Sequence, residues 1–293
     1  MTRPTVLMCP PTFFDVRYAI NPWMKPGEVP VDRQRAREQW NELVRTIEMH
    51  ASVSVVEAQP GLPDMCFTAN AGFVHDDTFI GSRFLHAERR GEEAYFRDWF
   101  ASRGYDCTRL PDDLVFEGAG DALHDAQGVI WMGHGQRSSL GAAQAMRDSL
   151  STGVVALQLV DPRFYHLDTC FCPLRAGGVV YFPGAFSPQS LAAIEERFAQ
   201  SERIAVTEED ATGLACNIVD LGNVVLLNRA SEKLRAALAR RDVDVREVDL
   251  SEFIKSGGAA KCLVLPLPTT PGSTSRDANA TASSAKRTDP ALT

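Results

Sequence analysis

Apolar positions along the chain fall into short runs separated by turn residues, and two rhythms alternate. Residues 5–9 form a brief apolar run stopped by Pro10-Pro11, which reads as a buried strand. Residues 31–49 instead place Trp40, Leu43, Val44 and Ile47 on one face at helical spacing, which predicts an amphipathic helix. A short strand is expected at 53–56 and another at 65–69, the latter between two turns. Phe73-Val74 and residues 78–81 predict a hairpin around His75-Asp76-Asp77. Helices are expected at 88–103, 139–150, 188–200, 231–241 and 251–256, and strands at 129–132, 154–160, 178–182, 204–206 and 243–248. Residues 165–170 read as the opening of a strand, and residues 216–219 with 224–227 as a hairpin. Cys262 opens a last strand-like run, Leu263-Val264-Leu265.

This grouping of short strands, a hairpin and one helix recurs about every 50 residues, and about five such units fit before residue 267. Repeats of that length point to a propeller-like α/β array. Residues 1–267 are therefore expected to form one domain. From 268 to 293 the chain turns to Thr, Ser, Ala, Pro and charge, a composition that cannot bury a core, so a disordered tail is expected there.

Composition narrows the function. Of 293 residues 44% are hydrophobic and 23% charged, as in a soluble globular protein, and the formal net charge is −8. An acidic surface argues against nucleic acid or an anionic membrane as partner, though a local cationic pocket for a small anion remains compatible with it. No run is long and apolar enough to span a membrane, and the first residues lack the apolar core of a signal peptide. The seven cysteines fit no disulfide framework, so a cytoplasmic protein with reduced thiols is expected. Cys170 and Cys172 have poor metal-ligand spacing and no second Cys/His pair completes a site, so no metal and no cofactor is expected.

The candidate chemistry lies on turns. Cys262 follows Gly257, Gly258, Ala259 and Ala260, small residues that suit a cavity wall, although a buried cysteine is by itself more often a small hydrophobe. A cysteine nucleophile needs a base. Of six histidines, His166 stands out, because Asp168 follows two residues on and strand spacing would put both on one side. Glu117 and Asp121 flank Gly-Ala-Gly at the end of an apolar run, where a carboxylate could hold a cationic substrate or orient a histidine. Asp64 and Asn70 bracket residues 65–69. No phosphate-binding glycine loop is present.

Five segments, at 63–70, 116–121, 135–138, 166–169 and 257–262, taken in this order, resemble the guanidino-group-modifying enzymes: arginine deiminases, dimethylargininases, amidinotransferases and arginine dihydrolases. The resemblance spans residues 5–267 and implies the pentein fold, an α/β propeller with pseudo-five-fold symmetry. It implies that Cys262 is the nucleophile on the guanidinium carbon and His166 the general acid/base. Glu117 would hold the guanidinium and His166, and Asp168 would grip the guanidinium nitrogens. Asp64 would be a further polar site position, and Arg137, with Arg90 beside Arg89, would bind the substrate α-carboxylate. Asn70, where deiminases and dimethylargininases carry aspartate, and the loop from Asn21 to Met24 resemble arginine dihydrolases, which yield ornithine, carbon dioxide and two ammonia. The expected function is hydrolysis of free arginine to ornithine or citrulline. Dimethylarginine hydrolysis is the nearest alternative, followed by amidino transfer or a non-catalytic binding module. The small-molecule partner would be arginine or a methylated arginine, and a homo-oligomer is compatible with the family.

Overall fold

The computed structural model describes residues 3–150 and 152–267. Five three-stranded sheets repeat one plan. An inner strand pairs antiparallel with a central strand, and the central strand pairs parallel with an outer one after a crossover. The sheets are β3 (Gly72–His75), β4 (Thr78–Gly81) and β5 (Asp106–Arg109); β6 (Ala122–His124), β7 (Ile130–His134) and β8 (Val154–Gln158); β9 (Phe171–Pro173), β10 (Val179–Tyr181) and β11 (Arg203–Ala205); and β12 (Val219–Asp220), β13 (Val224–Leu227) and β14 (Asp244–Glu247). The fifth sheet joins the two ends of the fold: β15 (Leu265–Leu267) pairs antiparallel with β1 (Thr5–Met8), and β1 pairs parallel with β2 (Ser52–Val55). This is the pentein α/β propeller, and it carries the fivefold count read from the apolar rhythm.

The crossovers are helical because a parallel pair needs a long connection. They are α1 (Arg33–Glu48), α2 (Glu92–Ala101), α3 (Leu140–Leu150), α4 (Pro188–Arg197) and α6 (Glu232–Ala239), with the short α5 (Glu208–Thr212) and α7 (Ser251–Ile254) between units. Local sequence sets several starts: Asp32, Ser187 and Ser231 accept hydrogen bonds from the first free backbone N–H groups of α1, α4 and α6. On α1, Trp40, Leu43 and Ile47 are buried as the helical spacing predicted.

The structure departs from the sequence reading just ahead of the inner strands. Residues 65–69 are not a strand: two 3-10 turns, Pro63–Cys66 and Thr68–Ala71, occupy the segment. Every residue from 63 to 74 is buried, so there is no inside–outside alternation to separate strand from turn. Residues 167–169 likewise form a 3-10 turn, and β9 begins only at Phe171. Cys262 lies in a turn and β15 begins three residues later. Residues 216–218 precede β12 rather than belonging to it. Each inner strand is thus preceded by a buried turn. The turns at 68–71, 118–120 and 167–169 pack on one another in sequence around the centre. The tail expected at 268–293 lies outside the described residues.

Candidate active site

Glycine lets these turns approach. A Cβ at Gly120 would sit 2.2 Å from Asn70 Nδ2 and 3.3 Å from the His166 ring. One at Gly258 would strike Phe67 at 2.5 Å and the Cys262 Cβ at 3.2 Å. Gly258 therefore packs the Cys262 turn against Phe67, rather than lining the cavity as its small size suggested.

Cys262 is 2% exposed, and Asn217 holds it at two points. Asn217 Oδ1 accepts from the Cys262 backbone N–H at 3.1 Å, and its Nδ2 donates to Sγ at 3.2 Å. Asn217 was not picked out from the sequence. The available signal was one amide in the otherwise apolar run Ala215-Cys216-Asn217-Ile218-Val219. The Asp168 carboxylate lies 3.7 and 3.6 Å from Sγ. Burial, followed by the Asp168 charge, pushes the thiol far above the usual cysteine range; the Ala259 and Asn217 hydrogen bonds and nearby Lys261 oppose this without overcoming it. Asp168 is itself pushed up to about 6 by burial, against the pull of Lys261. No cationic side chain makes a hydrogen bond or ion pair with its carboxylate among the described residues.

Glu117 is built the opposite way. Its Oε2 accepts from Arg137 Nη1 at 2.8 Å and lies 2.7 Å from His166 Nε2, while Oε1 accepts from the Leu85 backbone at 3.1 Å. Burial raises its affinity for a proton, but Arg137 and His166 more than offset this and hold the carboxyl well below the usual range. Asp121, by contrast, makes no hydrogen bond or ion pair with the Arg137 or His166 side chain. It accepts from Ser138 Oγ at 2.6 Å and from the Leu167 backbone at 3.1 Å, and so fixes the turn that carries His166 and Asp168.

Asn70 joins the two halves. Its Oδ1 accepts from Arg89 Nη1 at 2.8 Å. A guanidinium only donates, so the amide orientation is fixed and Nδ2 faces His166 Nδ1 at 3.4 Å. That leaves Nδ1 as acceptor and Nε2–H for Glu117 in the neutral ring. Arg89 is in turn clamped by Glu92 through two bonds, at 2.9 and 2.8 Å, and Glu92 is pushed up to about 7 by burial despite that partner.

Cys262, Asp64, Asn70, Asn21, Arg137 and Arg89 line one cavity, roofed by Ile20 and Met24. Glu117, His166 and Asp168 stand behind this lining through the contacts above. The arginine assignment changes: Arg90 is exposed, its guanidinium spent on the Phe84 and Leu85 carbonyls at 3.1 and 3.0 Å, and Arg89 is the one at the site. The two are adjacent on a tight turn, so they face opposite ways. Arg137 is engaged by Glu117 and the Ile20 carbonyl, with its guanidinium 4.8 Å over the Tyr165 ring. Asn21 spends its side chain on the Trp23, Met24 and Ser256 backbones and so pins the roof loop. Asp64 accepts from Tyr18 OH at 2.8 Å and Ser256 Oγ at 3.3 Å, and burial raises its pKa. Tyr18, Ser256 and Lys261 were also missed as site neighbours. Among the described residues no His/Cys/Asp/Glu group is disposed to hold a metal ion, and no helix is long and apolar enough to cross a membrane.

The family profile described as N,N dimethylarginine dimethylhydrolase, eukaryotic, matches residues 18–269. The bifunctional arginine dihydrolase/ornithine cyclodeaminase AgrE of Nostoc sp. is 49% identical over 265 residues, which are 90% of this chain but 38% of that protein. The chain thus spans about two fifths of the length of that relative. The dimethylarginine dimethylaminohydrolase of Mycobacterium tuberculosis is 39% identical, covering 89% of this chain and 84% of that protein. The N-terminal domain of the cyanobacterial arginine dihydrolase ArgZ, solved as a Cys-to-Ser variant bound to substrate, superposes with a TM-score of 0.88 at 48% identity, over 90% of this chain and 97% of that one.

Proposed function

The chain belongs to the dimethylarginine dimethylhydrolase family, and from that premise we propose that it hydrolyses the guanidinium group of free arginine through Cys262, carrying the reaction to ornithine. One observation carries the reading: a buried thiol sits 3.6 Å from a buried carboxylate, Asp168, that has no cation in contact. A planar guanidinium is the partner that both groups lack. It would satisfy Asp168 through paired charge-assisted hydrogen bonds, and its charge would favour the thiolate beside it.

The Cys262 proton passes to His166 as Sγ attacks the guanidinium carbon. His166 delivers a proton to the departing nitrogen, ammonia leaves, and a covalent thiouronium forms. His166 takes a proton from water, and the hydroxide attacks the carbon and releases Cys262. Glu117 keeps the ring oriented throughout. Two waters consumed per arginine give ornithine, carbon dioxide and two ammonia. Asn70 is an amide whose Nδ2 donors face His166, so it suits a neutral ureido oxygen in the second round. The cavity has about 10 Å³ of free space, room for one water at most, so arginine enters only when the 20–24 roof parts.

The family profile favours a second reading, dimethylarginine hydrolysed to citrulline and dimethylamine. Identity to an arginine dihydrolase and the Asn70 amide support the first. The pure chain is incubated with arginine and, separately, with asymmetric dimethylarginine, and the products are identified. Ornithine from arginine supports the proposal; citrulline and dimethylamine from the methylated substrate, with arginine untouched, overturn it. Turnover retained in Cys262→Ser would remove the mechanism as a whole.

A further inference from the structure

A second cavity, of about 280 Å³, lies where the five inner strands β3, β6, β9, β12 and β15 lead away from the catalytic turns. Its volume approaches the lower end of the roughly 300–1,000 Å³ of small-molecule sites. The walls are mostly apolar, with Phe73, Val74, Ala122 and Phe171 among them. Its carboxylates are already engaged. Asp220 accepts from the Arg175 and Gly222 backbones at 2.7 Å each. Asp125 accepts from Trp131 Nε1 at 3.1 Å and from Arg197 at 3.2 Å. His124 lies at the exposed end of β6, its ring 4.7 Å from that of Phe73 and stacked on His75 at 5.2 Å; desolvation of the ring, and then His75, lower its pKa.

Lys261 is the exception. It is 8% exposed, and its ammonium meets only neutral acceptors, Ala119 O at 3.2 Å and Val264 O at 3.5 Å. Its three donors are thus matched by two carbonyls and no carboxylate ion pair among the described residues; burial lowers its pKa, and the charge of Asp168, out of contact, opposes this. Apolar walls around one buried cation with no carboxylate in contact select an anion with a hydrocarbon body. We propose that this cavity is a second ligand site for a small aliphatic carboxylate, its anionic end on Lys261 and its chain against Phe73, Val74, Ala122 and Phe171. Because Lys261 precedes Cys262 and its charge acts on Asp168 and on the thiol, an anion there opposes thiolate formation and slows turnover without competing for the catalytic cavity. The slowing rests on the arginine-hydrolase reading; binding does not.

Calorimetric titration of the full chain with butyrate, hexanoate and octanoate tests it, with hexanol and hexylamine as controls. One site is expected for the longer carboxylates, with no binding of hexylamine. Binding persists in Cys262→Ser saturated with arginine. Lys261→Gln weakens binding at least about tenfold. Ala126→Trp, at an exposed position on the cavity mouth, abolishes binding while arginine turnover without carboxylate is kept. In the wild-type chain octanoate lowers kcat and leaves KM unchanged. Carboxylates that fail to bind below about 10 mM, that bind no better than hexanol, that arginine displaces, or that survive both Lys261→Gln and Ala126→Trp overturn the site. Carboxylates that bind in a chain that does not turn over arginine would leave the site standing and sink only the catalytic reading.

Discussion

Glu117 and Asp168 are both fully buried carboxylates on the same ring of turns, yet they are held in opposite states. Glu117 touches a guanidinium and an imidazole and stays ionised far below the usual range. Asp168 touches a thiol and is pushed up to about 6. Burial penalises both charges. Only Glu117 has compensating cations in direct contact; Lys261 acts on Asp168 from a distance and does not offset its burial. The fold therefore completes one half of the site, the half that orients His166. It leaves the other half short of one positive charge, beside the sulfur. A cationic substrate closes that gap, so binding and activation of the nucleophile are one electrostatic event.

The largest break in this comparison is Glu117→Gln. It strands Arg137 as a buried unpaired cation, which costs about 3–5 kcal/mol of stability. It also removes the partner of His166, so kcat should fall by about 10²–10⁴. Thermal melting and steady-state kinetics measure both. A variant as stable as the parent would mean that the Arg137–Glu117 pair contributes nothing net.

Asp168→Asn should move stability the other way. The ligand-free chain carries a carboxylate that Lys261 pulls on without contact and does not fully compensate, and a shift from near 4 to about 6 corresponds to about 3 kcal/mol at neutral pH. The asparagine variant should melt higher by that amount while arginine binding and turnover collapse. Loss of both stability and activity would show that Asp168 is already satisfied in the free protein.

The pH dependence separates the two directly. Asp168 has a raised folded pKa, so its unfavourable contribution is fully present above about 6 and is relieved as pH falls toward the unfolded value near 4. Glu117 has a depressed folded pKa, so its stabilisation is full above the unfolded value near 4 and is lost only below it. Between pH 7 and 4.5 the melting gap between the parent and Asp168→Asn should narrow, and the gap to Glu117→Gln should hold. Parallel curves for all three chains would contradict the assignment.

Much of this site is legible in the sequence because its polar residues interrupt apolar runs at repeated places. Glu117, His166, Asp168 and Cys262 each stand just ahead of an inner strand, and the fivefold rhythm implies that such places converge. The turns themselves were hidden. Residues 63–74 are buried throughout, and a strand and a pair of 3-10 turns look alike when no face is wet. Asn217 was hidden for a related reason, as a single amide in a run that otherwise reads as strand. Lys261 was hidden because a lysine in sequence carries no sign that its charge will be buried.

Arg89 and Arg90 give the smallest test, because the sequence offers two neighbouring cations and the structure puts only one in the site. Arg89 fixes the Asn70 amide and is clamped by Glu92. Arg90 reaches only backbone carbonyls from an exposed position. Arg90→Ala should change stability by less than about 0.5 kcal/mol and leave kcat/KM for arginine within about twofold, as for a surface change away from any network. It should also leave the opposed pH behaviour of Glu117 and Asp168 intact, since it supplies neither with a cation. A large loss of kcat/KM in Arg90→Ala would mean that the roof opens onto Arg90 when substrate enters. The positive charge missing from the Asp168 side would then have a source within the chain, and the contrast between the two carboxylates would narrow.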